Sequence, residues 1–185
     1  LLLAACAHPP PPPLEPSPAV PSGAEIHWYT LEGRDRIDLI ESCLHNCPRD
    51  EQGVAVASLT TWELRWGWTR APYDPCAVAS ASVDTLASVA LPRWDPPPDA
   101  DPALVAEWGG WLARLERHEQ GHVDLVRAFA DSAEVRIAGS SCDRVEAEGA
   151  ALVASLHAAQ IDYDRLTGSG HTQGASFWTG PVAAR

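Results

Sequence analysis

Apolar positions along the C-terminal half fall at helical spacing over an unusually long stretch. Leu104, Trp108, Trp111, Leu115, His118, His122, Leu125 and Phe129 follow one another in steps of three and four, which is the signature of one continuous helical face. Asp101-Pro102 supplies an N-cap residue followed by a proline at the first helical position, and Gly139 supplies a stop after Asp131–Ile137. A second long helix is expected from about Cys142 to Tyr163, followed by a glycine-rich loop over Gly168–Gly174. The N-terminal half alternates instead. In Thr61–Thr69, Trp62, Leu64, Trp66 and Trp68 interleave with Thr61, Glu63, Arg65 and Gly67, so a strand with one aromatic and one polar face is expected. Ile26–Leu31, Val54–Ser58, Cys76–Asp84 and Thr85–Leu91 are further expected strands, with a short helix around Arg34–Ser42 and a loop over residues 43–53. The proline-rich segment Pro92–Pro102 separates the two halves. Strands first and helices after give an α+β class, an N-terminal antiparallel sheet followed by two long helices.

Two of the positions on the helical stripe are histidines, and they change the picture. Residues 118–122 read His-Glu-Gln-Gly-His. On a helix, His118 and His122 share a face and can reach one metal ion, while Glu119 stands beside them as a general base. Two polar rings in an apolar stripe need partners, and a metal would satisfy both at once; a pair of hydrogen-bonded core histidines is the plainer alternative. Gly121 costs helix stability by about 1 kcal/mol against Ala, which suggests that something approaches closely there. The other histidines, His8, His27, His45 and His157, carry no expected role.

Composition narrows the function. The chain has 185 residues and a net charge of -12, its basic residues are all arginine, and no basic run occurs, which argues against nucleic acid as a partner. Eight Trp against two Phe suggest a tryptophan-built core. Leu3-Ala4-Ala5-Cys6 resembles a bacterial lipobox, which implies cleavage before Cys6 and lipid attachment to its thiol. Residues 8–21 contain eight prolines and read as a stiff, extended tether. The expected organisation is therefore a signal remnant over 1–5, a lipid-anchored tether over 6–22 and one domain over 23–185, with a periplasm-facing or secreted location at the cell envelope. The membrane would be met only through that anchor. An even set of cysteines in an exported chain reads as two disulfides, of which Cys76–Cys142 and a local Cys43–Cys47 are the favoured pairing of three. Metal binding by Cys43, His45 and Cys47 is the rival reading, with poor spacing for zinc.

Several pieces together resemble a known group. Trp28-Tyr29, Thr61-Trp62…Arg65-Trp66, Cys76, Leu91-Pro92-Arg93-Trp94, His118-Glu119-Gln120-Gly121-His122, Cys142 and Tyr163-Asp164 are similar, in order, to the bacterial family catalogued as domain of unknown function 922, described as predicted secreted zinc-dependent proteases. The likeness runs over roughly residues 26–178. It implies a minimal, zincin-like metallopeptidase domain holding one Zn2+ per chain, with a peptide or protein of the cell envelope as substrate. The family's C-terminal segment reads Tyr-Asp-x-x-Thr-x-His-Gly followed by Gly-Ala. Tyr163, Asp164, Thr167, Gly170, Gly174 and Ala175 match it, Ser169 stands at the histidine position, and His171 follows two residues later.

A catalytic zinc site needs a third protein ligand and an open position for water. Glu146 or Glu148 would serve by analogy with gluzincins, Asp162 or Asp164 by analogy with aspzincins, and His171 is the remaining option. Asp164 is favoured narrowly, with His171 expected near the metal or the oxyanion. Glu119 would be the general base, and Tyr163 or His171 the oxyanion donor. The competing expectation is a non-catalytic envelope lipoprotein with a structural or vestigial metal site. Ser169 favours it, and the intact Glu119 opposes it.

Overall fold

The computed structural model describes residues 21–74 and 76–177. Three strands and three helices follow in the order β1 (Glu25–Leu31), α1 (Arg36–Asn46), β2 (Leu59–Arg70), β3 (Val78–Trp94), α2 (Pro102–Ala138) and α3 (Val145–Thr167), closed by a 3-10 turn at His171–Gln173. The class is α+β, with the sheet first and the long helices after.

The sheet has the order β1-β3-β2. β2 and β3 form an antiparallel pair in register from Leu59↔Ala90 to Trp68↔Ala81. β1 runs parallel to β3, from Glu25↔Ser88 to Leu31↔Trp94, so the sheet is mixed rather than purely antiparallel. The chain passes through α1 and β2 between those two partners, a separation that permits a parallel pairing. Three expected boundaries also move. The expected strands Cys76–Asp84 and Thr85–Leu91 merge into one, β3, which starts at Val78 and continues through Pro92 to Trp94. Val54–Ser58 is not a strand and contributes only an isolated bridge, Arg49↔Ala55. The short helix starts at Arg36, because Asp35 caps it through the Ile37 and Asp38 amides, and it runs on to Asn46.

α2 has the expected ends. Asp101 accepts from the Ala103 amide at 2.9 Å, Pro102 opens the helix and Gly139 closes it. The helix touches two apolar clusters. Leu104, Trp108, Trp111, Leu115 and Val123 join Leu31, Leu39, Val89, Leu91, Trp94 and Phe177 in the first. Val126, Ala133 and Ile137 join Leu64, Val145, Leu152 and Leu156 in the second, with Trp62, Trp66 and Trp68 packed against them. The aromatic face of β2 is thus turned to the helices, as its alternation implies. Gly149 makes this possible: a Cβ there would lie 2.3 Å from the Trp66 ring. Each large apolar side chain so buried contributes about 1.5–3 kcal/mol. The polar residues of the motif sit on α2 between Leu115 and Val123 of the first cluster, just before the second begins at Val126.

Candidate metal centre

His118, Glu119 and His122 are buried, 5%, 3% and 7% exposed. Their helix needs no break to accommodate them, and the two rings lie 4.9 Å apart, nearly perpendicular. The third group comes from α3. Asp164 Oδ1 stands 3.3 Å from His118 Nε2 and 3.2 Å from His122 Nε2. One ligand atom from each of His118, His122 and Asp164 falls within 4.8 Å of the others, a group able to hold a metal ion. The Asp164 side chain is 43% exposed, so the group opens to solvent on that side.

The electrostatics follow from the placement. Burial alone would raise the Asp164 carboxyl, but hydrogen bonds and charge from His118 and His122 outweigh it and hold the group well below the usual carboxylate range. Burial would lower His122; its hydrogen bond to the Asp164 carboxylate, the charge of Glu119 and the Gln160 contact overcome it and raise the imidazole.

Both far sides of the imidazoles are occupied. His122 Nδ1 lies 2.5 Å from Gln160 Oε1, and Gln160 Nε2 donates to the His122 carbonyl at 3.1 Å. His118 Nδ1 lies 2.9 Å from Gln173 Oε1, and Gln173 Nε2 donates to the Tyr163 hydroxyl at 3.1 Å. Gln160, Tyr163 and Asp164 share one face of α3 by their spacing of three and four. The Tyr163 ring stacks on His118 at 5.2 Å and meets His122 edge-on at 4.8 Å, and its hydroxyl donates to the His118 carbonyl at 3.2 Å. Burial, offset in part by the Gln173 contact, pushes the Tyr163 phenol up. The close approach expected at Gly121 is this tyrosine.

Glu119 is held by two hydroxyls at the start of β2. Ser58 Oγ donates to Oε1 and Thr60 Oγ1 to Oε2, each at 2.5 Å. Neither was marked by the sequence, where hydroxyls two apart at a strand start are unremarkable. Gln160 and Gln173 were missed as well; their signal is position alone, four residues before Asp164 and inside the glycine-rich loop. Below the site, the Tyr29 hydroxyl donates to the Ala57 carbonyl at 2.5 Å and lies 3.3 Å from Cys47 Sγ. Burial and the Glu119 charge push that phenol upward. Two residues before the motif, Glu116 is 1% exposed, neither carboxyl oxygen has a partner, and desolvation raises its pKa to about 7.

The remaining expected site residues divide. His171 is exposed on the 3-10 turn, with Nδ1 3.3 Å from the Ser176 hydroxyl, and does not join the His118–His122–Asp164 group. Ser169 has φ +49 and, with Gly168, terminates α3, its amide donating to the Asp164 carbonyl at 2.7 Å. Glu146 and Glu148 lie in the first turn of α3, and Asp162 pairs with Arg165. Cys43 and Cys47 form a disulfide at the end of α1. The expected Cys76–Cys142 disulfide is not closed in the structure: the two sulfurs meet in a hydrogen bond at 3.4 Å, and the Cys142 amide donates to the Cys76 carbonyl at 2.9 Å. Cys6 and most of the proline-rich tether lie outside the described residues, and no helix among those described is long and apolar enough to cross a membrane.

An α+β domain with two histidines and an aspartate converging beside a buried glutamate defines a candidate metal-binding protein of the His-Glu-x-x-His kind. The chain belongs to the family of bacterial proteins of unknown function DUF922, whose model matches residues 26–172. Comparison with the curated proteins and with the solved structures gives no match.

Proposed function

We propose that this domain is a zinc-dependent peptidase in which His118, His122 and Asp164 hold the metal and Glu119 is the general base. The observation that carries the reading is the convergence of His118, His122 and Asp164 ligand atoms beside an intact, buried Glu119. The donor set fits the group: imidazole nitrogens and a carboxylate oxygen are ordinary zinc ligands, and three of them leave a position open. Bound there, zinc would supply Lewis acidity, lowering the pKa of a water and polarising a carbonyl.

The chain's own residues supply the rest. The Ser58 and Thr60 hydroxyls donate to the Glu119 carboxylate and fix its direction. Glu119 can then accept a proton from the attacking water and return it to the leaving amine. Tyr163 is the oxyanion donor in this reading, its O–H turning from the His118 carbonyl toward the substrate. The substrate class is a peptide or protein of the cell envelope. Leu3-Ala4-Ala5-Cys6 and the proline-rich stretch support a lipid-anchored, periplasm-facing or secreted enzyme.

Ser169 at the family's histidine position favours a second reading, a non-catalytic envelope module that keeps a structural or vestigial metal site. Cleavage of a broad peptide library separates the two. The peptidase reading expects hydrolysis by the wild type and a loss of at least about 100-fold in Glu119→Gln with metal retained, since only proton transfer is removed. Wild-type protein that holds metal and cleaves nothing supports the second reading. Equal cleavage by both proteins would place the activity elsewhere.

A further inference from the structure

Gln160 and Gln173 do the same job on the two histidines, from different parts of the chain. Each amide makes two contacts. Gln160 gives Nε2 to the His122 carbonyl and Gln173 gives Nε2 to the Tyr163 hydroxyl, so in both the Oε1 end is left facing an imidazole Nδ1. A carbonyl oxygen can only accept. Nδ1 therefore carries a hydrogen in both rings, which leaves the two Nε2 atoms as the nitrogens that offer a lone pair once a metal ion displaces their proton. Those are the two nitrogens that stand 3.3 and 3.2 Å from Asp164 Oδ1.

We propose that Gln160 and Gln173 are the positioning residues of the centre, each selecting the Nδ1–H tautomer and the ring orientation of one histidine so that both Nε2 atoms face a single metal ion. The inference rests on the metal reading above. The two differ in how they are held. Gln160 is buried on α3, whereas Gln173 is exposed on the C-terminal turn. That turn is tied back to α2: Arg114 Nε donates to the Gly174 carbonyl at 2.7 Å and Trp111 Nε1 to the Ala175 carbonyl at 2.6 Å. Gly170 lies against the His118 ring, where a Cβ would come within 3.2 Å of Cγ. The segment after α3 thus reaches the metal site through Gln173, with the family's histidine position filled by Ser169.

The test measures zinc affinity by chelator competition and ring protonation by long-range 1H–15N correlation spectra of the zinc-loaded protein. Gln160→Leu and Gln173→Leu are expected to weaken zinc by about 10–100-fold, the usual cost of losing such an outer partner. Gln160→Glu and Gln173→Glu keep the acceptor and are expected to recover most of the loss. Melting curves of all four variants, taken with zinc removed, separate weaker binding from poorer folding. The wild-type spectra should show Nδ1 protonated and Nε2 metal-bound in both rings. Leu variants that bind zinc as tightly as wild type, Glu variants that recover nothing, or zinc on either Nδ1, would overturn the proposal while leaving the metal reading intact. Wild-type protein that takes up no zinc would overturn both.

Discussion

The Tyr163 hydroxyl occupies the space that a side chain at Gly121 would need: a Cβ there would stand 2.1 Å from the phenol oxygen and 2.4 Å from the ring carbon bearing it. The third residue inside the His-x-x-x-His spacing is thus fixed by the helix packed across it. Gly121→Ala gains helix propensity of about 1 kcal/mol but forces the tyrosine away, an overpacking cost of about 1–3 kcal/mol that is expected to win. In a Tyr163→Ala background the same change becomes neutral or stabilising. A double-mutant cycle by urea unfolding checks this, and additive effects would contradict it.

Glu116 makes stability depend on pH with a definite sign. Burial raises its pKa from an ordinary 4.5 to about 7, so the folded state favours the protonated form. Its contribution is fully present below about pH 4.5 and is lost as pH rises through 7, a change on the order of 3 kcal/mol. Glu116→Gln removes the ionisation and keeps the shape. The variant should be more stable than wild type at pH 8 and nearly equal to it at pH 4.5. A stability difference that does not change between these pH values would refute the account.

Cys76 and Cys142 are placed to be linked. Their sulfurs are 3.4 Å apart across an isolated bridge, Ala77↔Ser141, that ties the start of β3 to the α2–α3 connection. Oxidation by a small disulfide would join them with release of two thiols, and closing so long a loop stabilises by about 4 kcal/mol on the chain-entropy model. Peptide mapping without reduction should recover Cys76 joined to Cys142 and Cys43 joined to Cys47. Recovery of Cys43 joined to Cys76 would contradict both pairings.

Asp164 and His171 are separated by a direct comparison. Asp164→Ala removes the only carboxylate in the converging group and should weaken zinc by at least about 100-fold, as loss of a direct ligand costs more than the 10–100-fold of an outer partner. His171→Ala should leave affinity unchanged, because that ring is exposed and bonded to Ser176. The reverse pattern would move the ligand to His171.

What the sequence made legible follows from the range of the forces involved. α2 is readable from end to end because its caps and its three-and-four stripe are local, and the His-Glu-x-x-His group lies inside that stripe. Tyr163 and Asp164 were marked by family likeness, and only the packing of α3 on α2 brings Asp164 to the histidines and Tyr163 over Gly121. Ser58, Thr60, Gln160 and Gln173 were not legible, because an isolated hydroxyl or amide has no pattern until a neighbour across the fold gives it one. The parallel pairing of β1 with β3 was missed for the same reason, since alternation specifies a face and not a partner. The two expected strands Cys76–Asp84 and Thr85–Leu91 join because β2 pairs without a break across Asp84 and Thr85, through Arg65 and Leu64.

Elemental analysis of the purified domain tests the central claim most directly. About one zinc per chain is expected in the wild type, and little or none in a His118→Ala, His122→Ala double variant that still folds. A wild-type protein without metal, or a double variant that retains it in full, would contradict the assignment of this centre.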